Sequence, residues 1–279
     1  MRYISAGMYS NLSNLEDNLK RMKLHGYDCV DYGKFINTDN DIFALDDAAF
    51  RSQMLEERHQ IEKAGLFVYQ THGPWRHPPK DETVEDRAER MEKMQKAIWG
   101  TAFLGGHCMV IHPIMPFGTG NRGSAEEVWQ INKVFFKELL KTAEEANVTI
   151  CLENMPFPEF SLSRPAEIMR FVQEINSPWL KICLDTGHCT CLNESLVDAI
   201  RLFGNELRAL HIHDNDGSRD LHWMPFQGVT DWEEFRKILR EVSEKIPLNL
   251  ETKVDDKLPQ EVQEHFQIGL AKIARYLAN

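Results

Sequence analysis

Apolar and polar positions along the chain follow two alternating periods. Short runs of β-prone apolar residues recur. Each is followed by a longer stretch whose apolar positions return at helical spacing. The runs predict strands at Tyr3–Met8, Tyr27–Tyr32, Leu66–His72, Cys108–His112, Val148–Glu153, Leu180–Asp185, Leu207–His213 and Leu248–Glu251. The stretches between them predict helices. The first is opened by Ser13-x-x-Glu16, which has the form of a capping box. Others follow near Asp47–Ala64, Thr83–Leu104 and Ala125–Ala146, the last with Ser124 as its N-cap. A further helix begins after Arg164-Pro165, where proline suits a first turn. Ser195–Phe203, Trp232–Lys245 and Gln260–Leu277 complete the series.

Eight strand–helix units in 279 residues, with no linker or low-complexity tract between them, predict an α/β protein: a single (β/α)8 TIM barrel spanning residues 1–279. The rival is an open doubly wound sheet, which carries a glycine fingerprint directly after its first strand. Gly118-Thr-Gly120-Asn-Arg-Gly123 fits G-x-G-x-x-G, but it starts well beyond the strand that ends at His112-Pro113, so it reads as a loop.

In such a barrel the chemistry sits at the carboxyl ends of the strands. The third to eighth predicted strands end in His72, His112, Glu153, Asp185, His213 and Glu251. One histidine in such a place is most simply a satisfied structural residue. A carboxylate closing an apolar run is harder to explain, because burying it alone is costly. Barrel closure would bring all six to one rim, where three carboxylates repel one another unless a cation sits among them. Oxygen and imidazole donors suit Mn²⁺, Co²⁺, Zn²⁺ or Mg²⁺. His188 lies just past Asp185, and Asp220-x-His222 lies in the loop after the seventh strand. His211 and His213 both point inward by strand parity. His213 is the expected ligand of the two, because it lies nearer the carboxyl end.

Composition narrows the partners. Lys+Arg number 32 against 43 Asp+Glu, a net charge of −11 at pH 7. A broad nucleic-acid or anionic-membrane surface needs clustered Lys and Arg, so neither is expected. No run approaches the length of a membrane span. The apolar start at Met1–Met8 is too short for a secretory signal core. The six cysteines include no C-x-x-C pair and read as reduced thiols of a cytoplasmic protein, with Cys189-Thr-Cys191 a weak soft-metal pair. A homo-oligomer stays open.

The order His72, His112, Glu153, Asp185-x-x-His188, His213, Asp220-x-His222, Glu251 resembles the xylose isomerase-like barrel superfamily. The strongest stretches are Leu-Glu-Asn at 152–154, Leu-Asp-Thr-Gly-His at 184–188 and His-Ile-His-Asp-Asn at 211–215. The superfamily includes sugar epimerases, inosose dehydratase and apurinic endonuclease IV.

The resemblance to the epimerases implies one divalent metal on Glu153, Asp185, His213 and Glu251, and an enediolate formed beside a carbonyl. Glu153 and Glu251 then serve as the acid/base pair, and His188 contacts substrate. The resemblance to endonuclease IV implies three zinc ions shared by all nine positions, with His72, His112, His188, Asp220 and His222 as further ligands, and phosphodiester hydrolysis. The acidic balance and the absence of dense Lys/Arg loops favour a small carbohydrate substrate over nucleic acid. A sugar-binding protein without catalysis is a third reading, which would need neither glutamate. Related sequences continue into a Gly-Glu-Gly segment where this chain has Phe226-Gln227-Gly228. Trp75, Phe157, Phe160, Trp223 and Phe226 are candidate walls for a sugar ring. Arg219 and Lys253 are candidate partners for a substrate anion.

Overall fold

The computed structural model describes residues 1–8, 14–119 and 123–279. Its strands are β1 (Ile4–Gly7), β2 (Cys29–Tyr32), β3 (Phe67–His72), β4 (Cys108–Ile111), β5 (Thr149–Glu153), β6 (Leu180–Asp185), β7 (Leu207–His211) and β8 (Leu248–Leu250). They form one sheet in the order β7-β6-β5-β4-β3-β2-β1-β8, each neighbouring pair parallel. The last seam closes around Ile212, which bridges Leu250. Its N–H donates to Asn249 (2.9 Å), and its carbonyl accepts from Glu251 N–H (3.1 Å). This is the expected (β/α)8 barrel.

The helices are α1 (Leu15–His25), α2 (Asp47–Lys63), α3 (Val84–Phe103), α4 (Ala125–Ala146), α5 (Pro165–Ile175), α6 (Thr186–Cys191), α7 (Leu196–Phe203), α8 (Trp232–Ile238) and α9 (Gln260–Ala278). Ser124 caps α4 in a reciprocal capping box with Glu127, and Pro165 opens α5, both as the sequence implies. Helix α1 is capped by Asn14, whose side chain accepts from Asp17 N–H. The expected cap Ser13 lies outside the described residues, as does part of the Gly118–Gly123 motif. Helix α8 is shorter than expected: after Ile238 the chain tightens into a 3₁₀ turn at Leu239–Glu241. Helix α6 was not expected.

Strand alternation sorts the core into two parts. Met109, Ile111, Ile150, Leu152, Ile182 and Leu184 belong to the large apolar layer between strands and helices. Their alternates Cys108, Val110, Cys151, Cys183 and Ala209 form a smaller cluster inside the barrel. All six cysteines are free, and five are buried. Burial pushes the Cys29 and Cys191 thiols up to about 12.

Two register shifts set which polar residues enter the barrel. Val30 pairs with Val68, but Asp31 pairs with Gln70. Ile182 pairs with Leu207, but Cys183 pairs with Ala209. Each skips one residue, Tyr69 or Arg208, and so resets the phase of its strand. Gln70 and His72 are thereby put in step with Asp31, and His211 is put in register with Asp185.

Candidate functional site

The inward positions above the thiol layer are polar. Glu153 closes β5, Asp185 closes β6 and His211 closes β7, all of them buried. Glu251 follows β8 and is part-exposed. His211 Nδ1 stands 2.7 Å from Glu153 Oε1 and 3.0 Å from Glu251 Oε2, so the two glutamates flank one imidazole nitrogen. One ligand atom each from Glu153, Asp185, His211 and Glu251 lies within 4.8 Å of the other three. Donors about 2.0–2.2 Å from one ion stand at most ~4.4 Å apart. With slight tightening the four therefore fit a single divalent cation, and three carboxylates with one imidazole suit Mn²⁺, Mg²⁺, Co²⁺ or Zn²⁺.

The geometry places His211, rather than the expected His213, between the two glutamates, while His213 groups with Asp185 and His188 as a further possible ligand set. In register, His211 is level with Asp185, whereas His213 lies two residues beyond the end of β7. The His213 ring lies over the start of α6. Its Nε2 donates to Asp185 Oδ2 (3.0 Å), and it stacks on His222 with centroids 4.2 Å apart. Only glycine fits beneath it: a Cβ on Gly187 would lie 2.0 Å from the imidazole.

The other histidines surround the four. His112 Nε2 is 3.0 Å from Glu153 Oε2, and His72 Nε2 is 3.6 Å from the same oxygen. Asp185 ends β6 and also caps α6, accepting from His188 N–H at 2.7 Å. The cap sets the first turn of α6, which aims His188 back over the rim. His188 Nδ1 donates to the Asn154 carbonyl (2.7 Å), and its Nε2 is 3.6 Å from Asp220 Oδ2. His222 Nδ1 donates to the Glu251 carbonyl (2.8 Å). The sets His72–His112–Glu153 and His213–Asp220–His222 are themselves close enough to share an ion.

Charges here offset burial. Burial alone would raise Glu153 and Glu251, but His211 and its neighbours hold both well below the usual carboxylate range. Burial would lower His188, yet Asp185, Asp220 and Glu153 raise it to about 10. His211 is likewise raised by the two glutamates against burial. Burial dominates at His112, which falls to about 4.

Above the cluster opens a cavity of about 560 Å³, lined by Ile36, Trp75, Met155, Phe157, His188 and Lys253 with the glutamates at its base. That size and mixture of apolar walls with convergent polar groups suit a small molecule. Trp75, Phe157 and Lys253, candidates from the sequence, line this cavity. Phe160 is buried in the core instead. Trp223, Phe226 and Arg219 do not line this cavity. Trp223 bridges Asp214 through its backbone, Phe226 is about half exposed beside Trp232 and Tyr276, and Arg219 pairs with Asp216 at 2.6 Å. Loop residues near a strand end in sequence are directed by the loop's own bonds, and here Asp214 organises them. Its carboxylate accepts from Asn215, Gly228 and Thr230 N–H and from Trp232 Nε1. The sulfurs of Cys189 and Cys191 accept separately, from Asn154 and Asn215.

Sequence reasoning missed Asp31 on β2. It is buried, accepts from Gln70 Nε2 and Asn249 Nδ2, and lies 3.7 Å from His211 Nε2. A carboxylate within the apolar run Cys29-Val30-Asp31-Tyr32 was the available signal, the same one that singled out Glu153.

The sequence pattern of the xylose isomerase-like TIM barrel family matches residues 19–271. A D-psicose 3-epimerase of Enterocloster bolteae is 26% identical over 233 residues, covering 77% of this chain and 74% of that protein. A probable endonuclease 4 of Mycoplasma mobile is 28% identical over 174 residues, covering 57% and 60%. The chain spans 28% of an uncharacterised Sinorhizobium fredii protein, y4fM, at 34% identity over 86 residues. The crystal structure of D-psicose 3-epimerase with D-tagatose from Clostridium cellulolyticum H10 superposes with a TM-score of 0.79 at 15% identity, covering all of both chains. With this fold, this rim of acidic and imidazole groups and a family match over most of its length, the chain belongs to the xylose isomerase-like TIM barrel family.

Proposed function

We propose that this protein is a metal-dependent sugar isomerase or epimerase acting on a carbon next to a carbonyl. The observation that carries the reading is the meeting of Glu153 and Glu251 on either side of His211 Nδ1, with Asp185 alongside, at the base of a cavity sized for a small molecule. A divalent ion held by these four residues supplies positive charge for the sugar oxygens beside the reacting carbon. Glu153 and Glu251 are the acid/base pair on opposite faces of that carbon: one, as carboxylate, takes the proton from carbon, and its partner, carrying a proton in the substrate complex, returns one to the other face. His188, fixed through Nδ1 by Asn154, turns Nε2 toward Asp220 (3.6 Å) at the cavity wall, where it can donate to a substrate oxygen. Trp75, Met155 and Phe157 form the apolar wall for the sugar's C–H face. Lys253 is the one lysine or arginine among the described lining residues, which suits a substrate with little negative charge.

The test is solvent exchange. In D₂O with Mn²⁺, the wild type should incorporate deuterium next to the carbonyl of D-psicose, D-tagatose or D-fructose. Glu153→Gln and Glu251→Gln should each lose roughly 10²-fold or more of that exchange. Wild-type exchange in both variants would overturn the two-glutamate mechanism.

A second reading, phosphodiester hydrolysis of the endonuclease IV type, draws on the two flanking ligand groups, His72–His112–Glu153 and His213–Asp220–His222. Metal analysis separates them: three zinc ions per chain support hydrolysis, and one divalent ion per chain supports the isomerase. The single lining lysine argues against a polyanion, which calls for several phosphate contacts.

A further inference from the structure

Beneath the rim the barrel holds a second polar layer. Asp31 from β2, Gln70 from β3 and Asn249 from β8 are almost fully buried there. Asp31 Oδ2 accepts from Gln70 Nε2 at 3.1 Å and from Asn249 Nδ2 at 2.9 Å. Two bonds from two other strands hold that carboxylate in place. Asp31 Oδ1 has no hydrogen-bond partner, and neither does His211 Nε2, which lies 3.7 Å from Oδ2. His211 is wholly buried. A buried ring nitrogen left without a partner beside a buried carboxylate, whose nearer oxygen Oδ2 already accepts two bonds, is uncommon in a folded chain. Closing the gap by about 0.5 Å brings them within hydrogen-bond distance.

His211 has one nitrogen towards Glu153 and Glu251 and the other towards Asp31. To serve as a ligand through Nδ1, the ring needs its proton on Nε2. A carboxylate at Nε2 favours that tautomer, fixes the ring plane and makes Nδ1 a better electron-pair donor. The register shift at Tyr69 places Gln70 level with Asp31, and so supplies one of the two bonds that aim the carboxylate.

We propose that Asp31 is a positioning residue that holds His211 in the Nε2–H tautomer and so sets the affinity of the rim for its divalent ion. The proposal rests on the metal-site reading above. It also assigns the layer Asp31–Gln70–Asn249 a task in ion binding rather than in the fold alone.

The experiment titrates Mn²⁺ alone into the metal-free full-length protein by calorimetry, for the wild type, Asp31→Asn and Gln70→Leu. Thermal melting of each metal-free protein and the imidazole ¹⁵N shifts of His211 are recorded in parallel. Asp31→Asn keeps the shape of the residue and an acceptor for Gln70 and Asn249. It should weaken Mn²⁺ binding 10- to 100-fold, with a metal-free melting temperature equal to or above that of the wild type. Gln70→Leu leaves the carboxylate but removes one of its supports, and should weaken binding less. Wild-type Mn²⁺ affinity in Asp31→Asn would overturn the proposal. So would a lowered metal-free melting temperature with unchanged affinity and His211 shifts, the signature of a purely structural role. Failure of the wild type itself to bind Mn²⁺ would instead refute the underlying metal site, so the two failures are distinguishable.

Discussion

Gly187 shows how closely the rim is packed at the level of single residues. It follows Asp185 at the start of α6, and the His213 ring occupies the space where a side chain would begin. Gly187→Ala should force His213 off Asp185 and cost about 1–3 kcal/mol of stability, measured by urea unfolding of the metal-free protein. Stability within experimental error of the wild type would mean that the ring moves freely. The two histidines of His211-Ile212-His213 illustrate what residue type can and cannot say. Both are inward by alternation, and nothing in the local sequence distinguishes them. The skipped residue at Arg208 levels His211 with Asp185, whereas His213 stacks over the loop. Asp31 is the converse case: its carboxylate was visible in an apolar run, but its partners lie on β3, β7 and β8.

At the scale of elements, the segment between β7 and α8 carries Asp220 and His222 to the rim. One buried carboxylate gathers several of its backbone donors, beside the Asp214–Trp223 backbone bridge and the bond from His222 to the Glu251 carbonyl. Asp214 is completely buried and accepts four hydrogen bonds, three from backbone N–H groups of the segment and one from Trp232 at the head of α8. Gly228 approaches it too closely to carry a side chain, its Cβ position lying 2.0 Å from the Asn215 carbonyl. Asp214→Ala strands those donors, each worth about 1–3 kcal/mol when buried and unmatched. The expected result is a loss of at least ~3 kcal/mol in urea unfolding and faster proteolysis within residues 215–231. Unchanged proteolysis would show that the segment is held elsewhere. The strands and long helices were readable because their periodicity is local. Helix α6 was not, because its six residues are set by the Asp185 cap and the packing of His188.

For the whole molecule, barrel closure gathers the acidic groups of β5, β6 and β8 around one imidazole, and their mutual repulsion is relieved by protonated histidine or by a bound cation. In the ion-free chain the two glutamates raise His211 above its ordinary range. A proton there competes with an ion, so ion binding should release protons, and affinity should rise as pH increases through the neutral range. Calorimetry in buffers of different protonation enthalpy reads that release directly, and a pH-independent affinity would contradict it. Saturation at about 100 times the dissociation constant should add about 2.7 kcal/mol of stability, seen as a higher melting temperature with Mn²⁺ than with a chelator. No described helix is long and apolar enough to cross a membrane.

Hydrophobic periodicity was enough to write down the (β/α)8 order and to mark the strand ends where Glu153, Asp185 and Glu251 stand, because both depend on neighbours only a few residues away. The choice of imidazole, the removal of Trp223, Phe226 and Arg219 from the cavity wall, and the layer beneath His211 depend on strand register and on loop anchoring. Those are fixed by contacts between residues far apart in the chain, made only once all eight strands have closed, and one skipped residue in a strand is enough to change which side chain meets which.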